Sequence, residues 1–328
     1  MKRISTYREL SSPWKMILSI GLSLGCLLSI GWTAGPSDGS DSAVKRFYYS
    51  DQDYLSYETL GDGSVPLLFI HGFGTSARTW DKVLQYLDLE GFRCYLVNLK
   101  GCGGSSTPHD DAYSILDQAR ILMRFAGEVI REDPVLVGHS MGAGIALVLA
   151  TLASTDQTLG IRSLVLLSPA AFSDDSPSYV ELLRRPFLGW LLVHSLRPET
   201  LVRVTFRDVF HDDDRLSQQL IDAYTSAMVA SDYRYSLRAT ARNILPASFE
   251  SIIQQYRLID ARCLTIWGSS DEIVGLDGKE RLETLLPNIT TAVFADCGHN
   301  PQDELPEETA RLIRIFLNEE KEIESCGS

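Results

Sequence analysis

Ser140 sits at the centre of Gly138-His139-Ser140-Met141-Gly142, a G-x-S-x-G pentapeptide placed directly after the apolar run Pro134-Val135-Leu136-Val137. A serine on a sharp strand-to-helix turn projects its hydroxyl out of a sheet, and small flanking residues let the backbone turn that tightly. Met141 to Leu152 is rich in Ala and Leu and reads as the helix such a turn requires. Ser140 is therefore a candidate nucleophile. The same pentapeptide also arises as a glycine-rich turn with an incidental serine, so its partners decide.

A serine hydroxyl attacks only when a base takes its proton, and the base needs a carboxylate to fix its tautomer and steady the imidazolium. Leu264-Thr265-Ile266-Trp267 reads as a short buried strand, and Gly268-Ser269-Ser270-Asp271 puts a carboxylate in the loop beyond it. Thr290 to Phe294 reads as another strand, followed by Ala295-Asp296-Cys297-Gly298-His299. The order Ser, Asp, His has separations of 271 − 140 = 131 and 299 − 271 = 28 residues. That is the order of one of the three unrelated folds that carry this triad. Backbone donors for an oxyanion have a natural place where the buried run Pro66 to Ile70 opens into His71-Gly72-Phe73-Gly74, whose glycines permit close approach of main chain to substrate.

With these motifs in place, the chain from about residue 45 onward resembles the α/β-hydrolase superfamily, in the form of a single-domain serine hydrolase with a His-Gly-x-Gly oxyanion loop. His71 to Gly74 matches the oxyanion loop, Gly138 to Gly142 the nucleophile elbow, Trp267 to Asp271 the acid loop, and Gly298-His299-Asn300-Pro301 with Glu304 and Pro306 the histidine loop. The resemblance implies a mostly parallel sheet flanked by helices, with a helical cap insertion. It implies Ser140 as nucleophile, His299 as base, Asp271 as acid, and the N–H groups of Phe73 and Met141 as oxyanion donors. Asn98, in Asn98-Leu99-Lys100-Gly101, stands where the family usually has Asp, which bears on support of that loop rather than on catalysis.

Other chemistries fit less well. Gly101-Cys102-Gly103 lacks the third glycine of a dinucleotide loop, and no P-loop lysine follows Gly104. His211-Asp212-Asp213-Asp214 reads as a solvated helix start rather than a metal site, and no cofactor is expected. Asp296 is near His299 in sequence, but the resemblance expects the acid in the loop after the preceding strand, which is Asp271. His71 and His139 read as structural residues of the loop and elbow.

The elements that must position these groups alternate between strand and helix, from Phe92 to Val97 through the amphipathic stretch Ile115 to Ile130. The alternation breaks after Leu164 to Leu167. Residues from about 173 to 247 show helix-like segments without a convincing strand, the expected cap. Leu183, Phe187, Trp190 and Leu191 make its start greasy, and are read either as cap packing or as an apolar wall of the substrate pocket or a membrane contact. Tyr233, Arg234, Tyr235 and Arg238 read as a solvated cap face.

Residues 1–42 form a leader ahead of a domain at 43–328. Lys2, Arg3, Arg8 and Lys15 precede an uncharged apolar run from Met16 to Trp32, 17 residues long, between the usual lengths of a signal-peptide core and a membrane span. Positive charge before the run, and Asp38 and Asp41 after it, predict a membrane anchor with the domain outside the cytoplasm; cleavage to an exported soluble protein and lipid attachment near Cys26 are the alternatives. The whole chain of 328 residues carries a net charge of −13. Such a charge repels phosphate backbones and anionic lipid, so no nucleic-acid partner is expected and membrane attachment falls to the leader. Five cysteines outside the leader define no disulfide framework. Cys102 and Cys297, on loops near the catalytic edge, are the pair an exported domain could join.

These readings predict a serine hydrolase acting on a small, apolar carboxylic ester through an acyl-enzyme. Hydrolysis of a carbon–carbon bond or an amide on the same fold is the first alternative, and a non-catalytic binding protein on a hydrolase scaffold the second.

Overall fold

The computed structural model describes residues 44–327 apart from 157, 158, 176, 213, 214, 227 and 229–231. The leader, with its apolar run at 16–32, lies outside the described residues. Among those residues no helix is long and apolar enough to cross a membrane.

Eight strands form one sheet: β1 (Lys45–Tyr48), β2 (Tyr54–Leu60), β3 (Val65–Ile70), β4 (Phe92–Val97), β5 (Val135–His139), β6 (Ser163–Leu167), β7 (Arg262–Gly268) and β8 (Ile289–Phe294). Their spatial order is β1-β2-β4-β3-β5-β6-β7-β8. The first two pair antiparallel with each other, and β2 with β4; all later pairs are parallel. Every residue of β3, β5 and β6 is buried, as parallel strands covered on both faces must be. The edge strand β8 has none that is fully buried.

Helices connect these strands. A single turn, α1 (Asp81–Leu84), follows β3, and α2 (Ile115–Phe125) follows β4. Ser114 starts α2 through a capping box: its hydroxyl accepts from the Asp117 N–H while the Asp117 carboxylate accepts from the Ser114 N–H. The helix α3 (Met141–Asp156) begins one residue after Ser140 and is apolar around most of its surface, because it runs against the sheet beneath other elements. A β-carbon on Gly142 would lie 2.2 Å from the carbonyl oxygen of Ile70, so only glycine lets α3 start this close to β3.

Between β6 and β7 the described residues make helices and no strand: α4 (Ser178–Arg184), α5 (Pro186–Ser195), α6 (Pro198–Val209), α7 (Gln218–Ser226), α8 (Tyr233–Asn243) and α9 (Phe249–Ile253). Proline opens both α5 and α6, where its missing N–H costs nothing. Phe206, Phe210, Ile221 and Tyr224 form an apolar cluster of their own between α6 and α7. The chain closes with α10 (Asp277–Leu285), the turn α11 (Pro301–Glu304) and α12 (Pro306–Gly327).

Candidate active site

Ser140 occupies the one-residue turn between β5 and α3 with φ at +53°, a left-handed conformation that costs a non-glycine residue energy and is held by its surroundings. Its own N–H donates to the Leu167 carbonyl at 2.9 Å, while its carbonyl accepts from Ala143, Gly144 and Ala170. The turn is thus bonded to β6 on one side and to α3 on the other.

Strand ends β7 and β8 deliver the partners. His299 Nε2 lies 2.8 Å from Ser140 Oγ, and His299 Nδ1 lies 2.8 Å from Asp271 Oδ2. An ionised carboxylate only accepts, so Nδ1 carries the imidazole proton and Nε2 is left to accept from the Ser140 hydroxyl. The other carboxylate oxygen of Asp271 accepts from the N–H groups of Ile273 and Val274, both at 2.9 Å. Burial alone would push the Asp271 pKa up; the charge and hydrogen bond of His299 and the two backbone donors overcome it and hold the group below its usual range. Asp296 stands apart, its side chain 82% exposed and nearest His211.

The histidine loop is tied down from beneath. His299 N–H donates to the Val209 carbonyl at 2.7 Å, so the last turn of α6 touches the loop directly. Glu304, its side chain fully buried, accepts from the N–H groups of Gly298 and Asn300 through one oxygen and of His211 through the other. His139 Nε2 donates to the His299 carbonyl at 2.9 Å. Sequence reading assigned His139 to the elbow and Glu304 to a motif, without finding either contact; both are backbone contacts that side-chain spacing does not reveal. Burial, then repulsion from His299, takes the His139 pKa down to about 3, and burial takes that of His71 to about 4, so both are neutral near pH 7. His71 donates from Nδ1 to the Gly72 carbonyl and accepts at Nε2 from Leu99 N–H, pinning the loop that carries Phe73.

Met141 is the first residue of α3, where an N–H has no intrahelical acceptor. Phe73 lies in the loop opening from β3. Both residues line an open cleft that also exposes Ser140 and is walled mostly by apolar groups, among them Phe172, Tyr179, Val180 and Leu245. A second, smaller hollow shares Phe73 and Met141 and runs towards Tyr233 and Ser236 of α8. Asp175 lines the first cleft; burial raises its pKa to about 6 against the pull of the Phe172 and Ala171 N–H groups it accepts from.

Asn98 uses the amide that an aspartate would lack: Oδ1 accepts from Ala77 N–H at 2.9 Å and Nδ2 donates to Ser56 Oγ at 3.0 Å. The loop is supported despite the departure from the family residue.

Three expectations need correction. Tyr233, read as part of a solvated cap face, is buried and lines the second hollow. Leu183, Phe187, Trp190 and Leu191 line neither cleft. Arg185 is extended (φ −66°, ψ 126°) ahead of Pro186 and splits the stretch into α4 and α5. Leu183 turns inward and is buried, whereas Phe187, Trp190 and Leu191 are exposed. Cys102 and Cys297 are both free thiols, not a disulfide.

Comparison with known proteins agrees with this geometry. The family described as the alpha/beta hydrolase fold matches residues 65–306. Over 271 residues the chain is 28% identical to the 2-hydroxy-6-oxononadienedioate/2-hydroxy-6-oxononatrienedioate hydrolase of Paraburkholderia phymatum, covering 81% of this chain and 91% of that protein. It is 25% identical to Lipase 1 of Psychrobacter immobilis, covering 84% of each. A thermophilic esterase from Thermogutta terrifontis superposes with a TM-score of 0.70 at 21% identity, covering 84% of this chain and 99% of that one. The chain belongs to the α/β-hydrolase fold family.

Proposed function

We propose that this hydrolase cleaves a carboxylic ester of small, apolar character through an acyl-enzyme on Ser140. The observation that carries the reading is the unbroken hydrogen-bond chain from Ser140 through His299 to Asp271, opening onto a mainly apolar cleft. His299 Nε2 takes the hydroxyl proton as Ser140 Oγ attacks the ester carbon, and Asp271 steadies the imidazolium. The carbonyl oxygen becomes an oxyanion facing the N–H groups of Phe73 and Met141. Collapse expels the alcohol, which leaves with the proton from His299. A water then gives its proton to His299 and its oxygen to the acyl carbon, releasing the acid and restoring Ser140. Similarity to the Psychrobacter lipase supports the ester.

Similarity to the Paraburkholderia protein, whose name describes an oxo-dienedioate hydrolase, favours carbon–carbon hydrolysis as the second reading. Purified protein assayed on p-nitrophenyl esters of increasing chain length and on a vinylogous diketone separates the two. Preference for a medium-chain ester supports the first reading, and preference for the diketone over every ester supports the second. An intact triad argues against a non-catalytic scaffold, and a protein inert to all of these substrates would restore that reading.

Residues 1–42 act as a membrane tether in this proposal, with domain 43–328 and its cap at about 173–247 outside the cytoplasm. The support is the positive flank before the 17-residue apolar run and the acidic residues after it. Full-length protein should sediment with membranes and resist high salt. A soluble product with a new amino terminus beyond Trp32 would make the leader a cleaved export signal.

A further inference from the structure

Helix α5 is apolar around its circumference, the composition of a helix covered on all sides. Only one side is covered. Gly189, Leu192 and Val193 are buried, and a β-carbon on Gly189 would lie 2.2 Å from the Leu183 carbonyl, so α5 presses closely onto α4. Phe187, Trp190, Leu191 and His194 fall within an arc of about 100° on the opposite side. There Phe187 is 70%, Trp190 47% and Leu191 37% exposed. No other helix among the described residues exposes more than one large apolar side chain.

We propose that this face of α5 docks onto an anionic lipid surface. Charge selects the occupant. From Leu182 to Pro198 the chain carries Arg184, Arg185 and Arg197 and no carboxylate, within a protein of net charge −13. Two more arginines reach α5 from α8: Arg234 donates to the Val193 carbonyl at 2.9 Å and Arg238 to the Pro186 carbonyl at 2.8 Å. Arg184 pairs with Glu181, leaving the other four to set the local sign. An apolar helix face bearing Trp and Phe, rimmed by arginine, fits the boundary between headgroups and acyl chains. In a second copy docked about a two-fold axis with the two α5 helices antiparallel, Arg185 of one copy would face Arg197 of the other, like charge against like, which disfavours a dimer. The net negative charge of the whole domain, taken above to exclude anionic lipid, therefore conceals a local reversal.

Docking has a consequence at the site. Tyr179 and Val180 of α4 line the cleft at Ser140, and α5 rests on α4, so a docked α5 brings one wall of the cleft to the lipid boundary. For that consequence the inference rests on the ester reading, the substrate then being an ester drawn from the lipid phase; docking itself does not depend on it.

Fluorescence of full-length protein on phosphatidylcholine vesicles containing phosphatidylglycerol, with and without brominated acyl chains, tests the proposal. The Trp190 signal is the difference between parent and Trp190→Phe, in which the leader tryptophans Trp14 and Trp32 cancel. Brominated chains should quench that difference. Each arginine near an anionic surface changes partitioning about fivefold, so Arg185→Gln with Arg197→Gln should weaken partitioning about 25-fold, and vesicles of phosphatidylcholine alone at least as much, with the quenching falling accordingly. A Trp190 signal equally bright on both kinds of vesicle overturns the proposal. So does a concentration-dependent dimer that Phe187→Ser dissolves, which would make a second copy the occupant. Quenching in a protein that cleaves no ester leaves docking standing and removes the ester reading, while ester turnover without quenching does the reverse.

Discussion

At the carboxyl end of the sheet, Asp271 accepts from His299 and from two backbone N–H groups, Glu304 from three, and Ser140 is bonded on both sides of its strained turn. On α5, by contrast, one face rests on α4 while the other presents Phe187, Trp190 and Leu191 to solvent. The first region is held by paired hydrogen bonds because buried polar groups are costly unless paired. The second is held by one ring contact, Trp190 stacked on His194 at 4.6 Å, and is otherwise open. Tightly bonded polar groups and open apolar surface are thus separated in the fold, the first at the sheet end and the second on α5.

The largest expected break falls in the first region. Ser140→Ala should lower kcat for ester hydrolysis by roughly four to six orders of magnitude, and turnover above about a hundredth of the parent rate would show that another residue does the work. Asp271→Asn should cost about four orders of magnitude by placing the imidazole proton on Nε2, so that Nε2 cannot accept from Ser140, whereas Asp296→Asn, on an exposed side chain, should change kcat less than about twofold. Reversal of that ranking would move the acid to Asp296.

Acid stability sharpens the comparison next, since the titrating groups cluster at the sheet end. His139 and His71 have folded pKa values lowered to about 3 and about 4, so between pH 6.5 and 4 the unfolded chain binds protons the native state does not, and stability falls as pH falls. Each contributes a slope of about 1.4 kcal/mol per pH unit in that window. Asp303 opposes them. It is fully buried, accepts from Tyr224 O–H, and burial raises its pKa to about 7, so between about pH 4 and 7 its contribution is lost as pH rises. Thermal melts of Asp303→Asn and the parent should therefore diverge with pH, the variant gaining on the parent towards pH 8. Parallel melting curves across that range would place the Asp303 proton elsewhere.

Within this fold, the buried parallel strands were legible in the sequence because continuous apolar runs such as Leu164 to Leu167 mark strands covered on both faces. The placement of Ser140, Asp271 and His299 just beyond three strand ends was legible for the same reason, and the structure brings the three within hydrogen-bonding distance. The antiparallel pair β1 and β2 was not, because Lys45–Tyr48 and Tyr54–Leu60 mix charged, polar and aromatic residues on partly exposed faces. Nor was the cleft wall. Phe172, Tyr179 and Leu245 come from separate elements that meet only in the folded chain, while the continuous greasy stretch is divided at Arg185, with Leu183 buried and Phe187, Trp190 and Leu191 exposed.

The smallest expected effects lie on the second side of the comparison. Trp190→Ala should leave the chain-length profile for soluble p-nitrophenyl esters within about twofold of the parent, because Trp190 lines neither cleft. Leu245→Trp, filling space within the cleft, should cut turnover of longer acyl chains by about fourfold per methylene no longer accommodated, with little change for acetyl esters. A profile moved by Trp190→Ala and not by Leu245→Trp would return the acyl wall to α5.

Peptide mapping by mass spectrometry after treatment with a fluorophosphonate probe tests the central claim most directly. One adduct is predicted per chain, on the peptide bearing Ser140, formed at a rate that falls sharply in His299→Ala and absent in Ser140→Ala. An adduct on any other residue, or ester turnover that survives complete labelling of Ser140, would contradict the acyl-enzyme account.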